Sequence, residues 1–214
     1  PVRAIADRVR ERRGIHLHVD AVQAAPYVDL DVAALGADTV AISAHKFEGP
    51  KGTGALWIRR GTPLLAQLHG GSQERHRRAG TENVAGAVGL ARAVDLAQET
   101  MASEAERLTS IRDRLAGLVL DRVLDAWVNG SMTRRLPGNL NFGFKYVEGE
   151  SLLLFLDSKG IAVSTGSACS SKKLEPSHVL LSLGLKPEEC HGSLRITLGR
   201  SNTEQDADYV AESI

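Results

Sequence analysis

The sequence predicts an α/β protein: part of a mostly parallel sheet covered by helices, then a small α+β domain at the carboxyl end. Three observations carry that expectation. Short β-prone runs at 15 to 19, 38 to 42 and 54 to 58 alternate with helical or turn segments. Two long helical patterns follow, over Asn83 to Gln98 and Ala102 to Leu120. Beyond them, strand and helix patterns alternate again in shorter units.

In chain order, Val2, Ile5 and Val9 recur at helical spacing before Gly14, where a helix can end. The run Ile15 to Val19 is followed by an acid, Asp20, and the run from Asp38 to Ser43 stops just before His45 and Lys46. In the second long helix Leu108, Ile111, Leu115 and Leu118 stand three and four apart, an apolar stripe ready to be buried. Leu136 to Phe144, Glu150 to Leu156, Ile161 to Val163, Ser177 to Leu183 and Leu194 to Leu198 supply the later elements. The expected division is therefore 1–100 for the sheet domain and 101–214 for a linking helix and the small domain. There is no internal repeat and no low-complexity tract.

Composition is that of a globular chain with enough apolar residues for a core: 214 residues, 43% hydrophobic and 24% charged. A formal net charge of zero provides no global field toward nucleic acid or an anionic membrane. No apolar run is long enough to span a bilayer, and the start shows no signal-peptide pattern. Two cysteines in unlike contexts make no disulfide framework, so a reducing cytoplasm is the expected location.

One of those cysteines, Cys169, lies in Ser164-Thr165-Gly166-Ser167-Ala168-Cys169-Ser170-Ser171. Small polar neighbours cannot bury a thiol as a packed hydrophobe, so it reads either as a nucleophile in a polar loop or as a loop cysteine with no role. Asp20 and Lys46 sharpen the choice. In an open α/β sheet the carboxyl ends of parallel strands border the ligand crevice, so an acid and an amine arriving there can face one molecule. Together they suit pyridoxal 5'-phosphate: the Lys46 amine can form a Schiff base with its aldehyde, and the Asp20 carboxylate can keep the pyridine nitrogen protonated. The glycine run from Gly49 to Gly54 is no phosphate loop of the Walker kind, because Ala55 and Leu56 follow it. Cys190-His191 lacks a second ligand pair at finger spacing, and His16 with His18 has no partner in view, so no metal is assigned. Arg75, His76, Arg77 and Arg78 form a basic cluster without interleaved aromatics, which does not read as a nucleic-acid site.

HVDAVQ at 18 to 23, SAHKFEGPKGTGAL at 43 to 56, HGGSQERHRRAGTENV at 69 to 84, YVEGESLL at 146 to 153, STGSACSS at 164 to 171, EPSHVLLSLGL at 175 to 185 and SLRITLGR at 193 to 200 together resemble the cysteine desulfurases of the NifS/IscS type. These are class V aminotransferase-like enzymes of the fold-type I pyridoxal phosphate group, and the resemblance runs the length of the chain. It begins in mid-domain, however: such enzymes carry roughly a domain's worth of chain before the equivalent of Pro1. That stretch includes a phosphate-binding turn, a ring-stacking His and an Asn near the substrate.

The resemblance implies roles for particular residues. Lys46 would carry the cofactor and move the Cα proton, Asp20 would pair with the pyridinium, and Gln23 would hydrogen-bond the ring hydroxylate. Ser43 and His45 would contact the phosphate and cofactor, Thr81 would reach the phosphate of the opposite subunit in a homodimer, and Arg195 would hold the substrate carboxylate. Cys169 would take sulfur from L-cysteine as a persulfide, leaving L-alanine, for a sulfur-acceptor protein such as an iron–sulfur scaffold or a tRNA-thiolation protein. Three further readings compete: a selenocysteine lyase or other class V enzyme, an inactive truncated fragment, and a rhodanese-like persulfide carrier, which would leave Lys46 and Asp20 unexplained.

Overall fold

The computed structural model describes residues 1–165 and 176–214. The chain divides into two compact units, Pro1–Met101 and Ala102–Ile214.

In the first unit α1 (Val2–Arg10) buries only Ala6 completely. It leads to a three-stranded sheet, β1 (His18–Asp20), β2 (Thr39–Ser43) and β3 (Gly54–Ile58), in the order β1-β2-β3. Between β1 and β2, residues 21 to 38 carry α2 (Val32–Leu35). Asp31 caps that turn, its Oδ1 accepting from Ala33 N at 2.8 Å and Ala34 N at 3.2 Å. Gly36, at φ 74°, ends it in the left-handed region that glycine enters without strain. That connection is long enough for a parallel return, and β1 pairs parallel with β2, Val19 opposite Val40.

The sheet is mixed. β3 runs antiparallel to β2, Val40 opposite Trp57, because only residues 44 to 53 join them. A parallel crossover needs about a dozen residues or more. Ala21, Ala37 and Val40 form the core here, with Leu17, Val19, Leu30, Ile42 and Trp57 packed around them.

A single turn, α3 (Gln73–His76), precedes α4 (Val84–Arg122). The two helices expected over 83 to 98 and 102 to 120 are one helix of 39 residues, and the boundary between the units falls inside it. Nothing in Glu99-Thr100-Met101 breaks a helix: there is no Pro or Gly, and the Thr100 hydroxyl donates back to Leu96 O at 3.1 Å, as a mid-helix threonine can. Among the described residues no helix is long and apolar enough to cross a membrane.

The second unit is built on an antiparallel sheet, β4 (Ala126–Val128), β5 (Asn139–Phe144) and β6 (Ser193–Thr197), with β5 central. Its helical elements are the carboxyl part of α4, α5 (Gly149–Ser158), α6 (His178–Ser182), α7 (Pro187–His191) and α8 (Glu204–Ser213). Of the expected stripe, Leu108, Ile111 and Leu115 are buried while Leu118 is only half-buried, and Val119, Leu140, Phe142, Leu156 and Leu194 are buried with them. Residues 161 to 163 are not a strand; Ser164 alone bridges to Arg195. α8 starts at a reciprocal cap, in which Thr203 Oγ1 accepts from Asp206 N at 3.3 Å and Asp206 Oδ2 accepts from Thr203 N at 2.8 Å.

Leu115 is wholly buried whereas Leu124 is 92% exposed. Leu115→Ala should therefore lower unfolding free energy by about 2–5 kcal/mol, read from the denaturant midpoint, while Leu124→Ala should shift it by less than about 0.5 kcal/mol.

Candidate active site

The carboxyl ends of β1 and β2 bring polar side chains to one end of the first unit's sheet. Asp20 lies opposite Ala41, so Ser43 stands two residues farther along the neighbouring parallel strand. The Asp20 side chain is exposed; Oδ1 accepts from Val22 N at 3.0 Å, an arrangement that turns the chain away and leaves the second oxygen for another donor. Gln23 follows in the turn and is exposed. His18 is occupied otherwise, its Nδ1 lying 2.8 Å from Thr39 Oγ1 across the strand pair.

Past Ser43 the chain makes a 3₁₀ turn over Ala44–Phe47. Ala44 is 0% and Phe47 9% exposed, so these two residues sink into the protein and His45 and Lys46 between them stand outward. Ser43 Oγ and His45 Nδ1 lie 2.9 Å apart. Lys46 Nζ has no hydrogen-bond or ion-pair partner among the described residues. Glu48, at φ 65°, ends the turn in the left-handed region. Gly49 N donates to Ala44 O at 2.9 Å, and Ala44 N donates to Thr53 O at 3.0 Å.

This donor set fits a pyridine ring bearing an aldehyde and a phosphate. A carboxylate can pair with a protonated ring nitrogen, an amine without a partner can reach an aldehyde, and a hydroxyl and an imidazole can donate to phosphate oxygens. Thr81 is exposed on the connection from α3 to α4, with no hydrogen bond to these residues. The basic cluster runs from α3 into this connection, and within α3 Glu74, Arg75 and His76 take φ of 48°, 58° and 62°. Three consecutive left-handed residues that are not glycine store about 1–2 kcal/mol each. Gly80 N donating to Gln73 Oε1 at 3.1 Å helps hold the loop in that shape.

The second unit carries the remaining predicted residues. Arg195 is central in β6, half-buried, with Asn141 opposite on β5 and Ser164 bridging on its other side. Ser164 N donates to Arg195 O at 3.1 Å and Arg195 N to Ser164 O at 2.6 Å. Ser193 Oγ donates to Thr165 O at 3.3 Å. Strand β6 thus holds both Arg195 and the stem that runs toward Cys169, which itself lies outside the described residues. Cys190 is a different thiol: it is 5% exposed in α7, and burial, with Glu189 and Glu188 nearby, pushes its pKa above the ordinary thiol range. No group of three or more His, Cys, Asp or Glu is placed to hold a metal ion among the described residues.

Sequence reasoning passed over Thr53, Pro50 and the glycines of α4. A Cβ built on Gly86 would stand 2.5 Å from Thr53 Oγ1, and one on Gly89 would stand 2.5 Å from Pro50 Cγ. The signal was present as two glycines three apart in a helical pattern, where each opposes the helix unless something packs on it.

The chain matches the family described as aminotransferase class-V over residues 1–210, and it belongs to that family. It is 52% identical over 214 residues to a cysteine desulfurase IscS of Clostridium botulinum, in an alignment covering 99% of this chain and 54% of that relative. A solved NifS-like protein superposes with a TM-score of 0.87 at 34% identity, over 99% of this chain and 55% of its own. A structure described as SspA in complex with cysteine gives 0.68 at 30% identity, over 92% and 54%. The chain therefore spans about half the length of the relatives it matches.

The buried Cys190 thiol should resist iodoacetamide at pH 8 in the native protein and react once the chain is unfolded; rapid native labelling would contradict its burial. Because its folded pKa is raised, the folded state keeps a proton that the unfolded state loses. Stability should therefore fall as pH rises past the ordinary thiol range, and fall less in Cys190→Ala.

Proposed function

We propose that this chain is the lysine- and cysteine-bearing part of a pyridoxal phosphate-dependent cysteine desulfurase, acting on L-cysteine and passing sulfur to an acceptor protein. The observation that carries the reading is the delivery of Asp20 and of a Lys46 without a partner among the described residues to the same carboxyl end of the parallel β1–β2 pair. The chain's identity to enzymes named cysteine desulfurase supports it.

In this reading Asp20, Gln23, Ser43, His45 and Lys46 hold the cofactor, and Thr81 of a second copy completes the phosphate contacts in a homodimer. The bound cofactor supplies an aldehyde and a ring that withdraws electrons from the substrate's Cα. Asp20 keeps the ring nitrogen protonated, and Ser43 Oγ and His45 donate to the phosphate. Arg195 binds the substrate carboxylate through two parallel hydrogen bonds, which fixes the amino acid's orientation. Lys46 takes the Cα proton and returns it. The Cys169 thiolate attacks the substrate sulfur: an S–S bond forms, the Cβ–S bond breaks, and the electrons left on carbon take up a proton to give L-alanine. The persulfide on Cys169 is then passed to an acceptor of the iron–sulfur scaffold or thiolation kind.

A narrower reading, that residues 1–214 do not turn over alone, is favoured by the sheet itself. Among the described residues β1 and β3 each pair on one side only, which leaves two open strand edges, and Leu56 on β3 is 46% exposed. Sulfide release and cofactor absorbance should both be weak with this chain alone and recover when the preceding stretch carried by related enzymes is supplied. Full activity from residues 1–214 would overturn that expectation.

Borohydride reduction of the cofactor-loaded enzyme followed by peptide mapping should label Lys46; label on Lys51 would sink the assignment. Cys169→Ser should keep cofactor binding and lose persulfide formation. Equal loss in the Cys190→Ser protein would place the chemistry on the wrong thiol.

A further inference from the structure

We infer that the face of α4 carrying Gly86, Gly89 and Ala93 is the seat that fixes where Lys46 stands, with Gly89 and Pro50 acting as positioning residues for its amine. The inference rests on the reading of Lys46 given above and extends it to the residues that aim the amine. Lys46 is exposed and makes no polar contact of its own among the described residues, so its place is inherited from the backbone of its turn.

That backbone is anchored from both sides. Ala44 and Phe47 are buried beneath the turn. Beyond Glu48, the segment Gly49-Pro50-Lys51-Gly52-Thr53 returns to β3, and three of its residues rest on α4. A Cβ on Gly49 would stand 3.0 Å from Ala93 Cβ and 2.8 Å from Ala44 Cβ. Pro50 Cγ would meet a Cβ on Gly89 at 2.5 Å, and Thr53 Oγ1 would meet one on Gly86 at the same distance. Positions 86, 89 and 93 fall on one face of a helix, so the seat is continuous. Thr53 Oγ1 is buried with no hydrogen-bond partner among the described residues, which removes polar bonding as the reason for its place and leaves close packing.

The glycines oppose the helix that carries them. A Gly in a helix interior is about 1 kcal/mol less favourable than Ala. By helix propensity alone, Gly89 should be Ala; what an Ala would displace is the proline ring four residues from Lys46. Ordinary carbon contacts need about 3.5 Å, so the ring would have to move by roughly 1 Å. Gly49, joined to Pro50, carries that shift to Ala44 through its 2.9 Å hydrogen bond, and so to the turn. A misplacement of about 1 Å at a reacting group costs on the order of a hundredfold in rate.

The test uses the holoenzyme, with the preceding stretch supplied, and L-cysteine as substrate. Gly89→Ala should leave the protein folded with a thermal midpoint at or below wild type, the clash with Pro50 opposing the helix gain, while lowering kcat by about tenfold to a hundredfold and leaving KM within about twofold, since the substrate carboxylate is bound elsewhere. Borohydride trapping on Lys46 should slow in parallel. Gly117→Ala is the control: it lies on the same helix with nothing within 4 Å of its Cβ position, and it should raise the midpoint with wild-type kcat. Removing the ring, in the Gly89→Ala/Pro50→Ala protein, should restore kcat to the level of Pro50→Ala alone. Wild-type kcat in Gly89→Ala, or a double variant no better than the single, overturns the inference. If Gly89→Ala does not fold, the double variant decides: recovery of folding and kcat supports the seat, and continued failure overturns it. Wild-type enzyme that is not labelled on Lys46 would instead overturn the underlying assignment.

Discussion

Ala44 is bonded in both directions: its amide donates to Thr53 O at 3.0 Å and its carbonyl accepts from Gly49 N at 2.9 Å. With its side chain wholly buried, this residue closes the link from β2 to β3 into a loop whose outward flank is His45 and Lys46. Much else in the first unit follows from that closure. The link is short, so β3 must return antiparallel. The loop must lie against α4, and α4 must offer small residues where it lies. The Lys46 amine, without partners among the described residues, then takes its place from the turn that carries it.

Cys190 shows what burial does to a thiol. Cys190 is buried within α7, and that burial, with Glu189 and Glu188 nearby, disfavours its thiolate. Cys169 follows a stem tied to β6 by the Ser164–Arg195 bridge and the Ser193–Thr165 hydrogen bond. One strand therefore holds Ser164 and Thr165 in place and displays, on its own side chain, a half-buried guanidinium with no partner among the described residues. Other arginines of this unit are spent on the fold. Arg135 donates to the carbonyls of Ser131 and Asn129 at 2.6 Å each, and Arg107 to that of Asn202 at 2.6 Å. Such rivets tie irregular chain to the sheet and α4, so the contrast with Arg195 is one of employment rather than of residue type.

Asp20, Lys46 and Cys169 stand out in the sequence because each breaks a local pattern: an acid at the end of a β-prone run, a lysine before a glycine-rich return, a thiol among small polar residues. The strands at 39 to 43, 54 to 58 and 139 to 144 and the buried stripe of α4 were legible for the opposite reason, since they keep their periodicity. Elements such as β4, at three residues, and α7, at five, are too short for any period to register. The continuity of α4 was hidden because Gln98 to Arg107 is mostly polar, so the apolar pattern reads as two helices.

The sequence by itself determined which side chains could do chemistry, and it assigned the chain to a fold class through strand and helix periods that depend only on neighbouring residues. Only the tertiary structure decided the direction of β3, the pairing of Arg195 with the stem at Ser164, and the seating of residues 49 to 53 on Gly86, Gly89 and Ala93. Those outcomes turn on contacts between segments far apart in the chain. A glycine in a helix looks like a local defect until the proline ring that occupies its missing Cβ is brought against it.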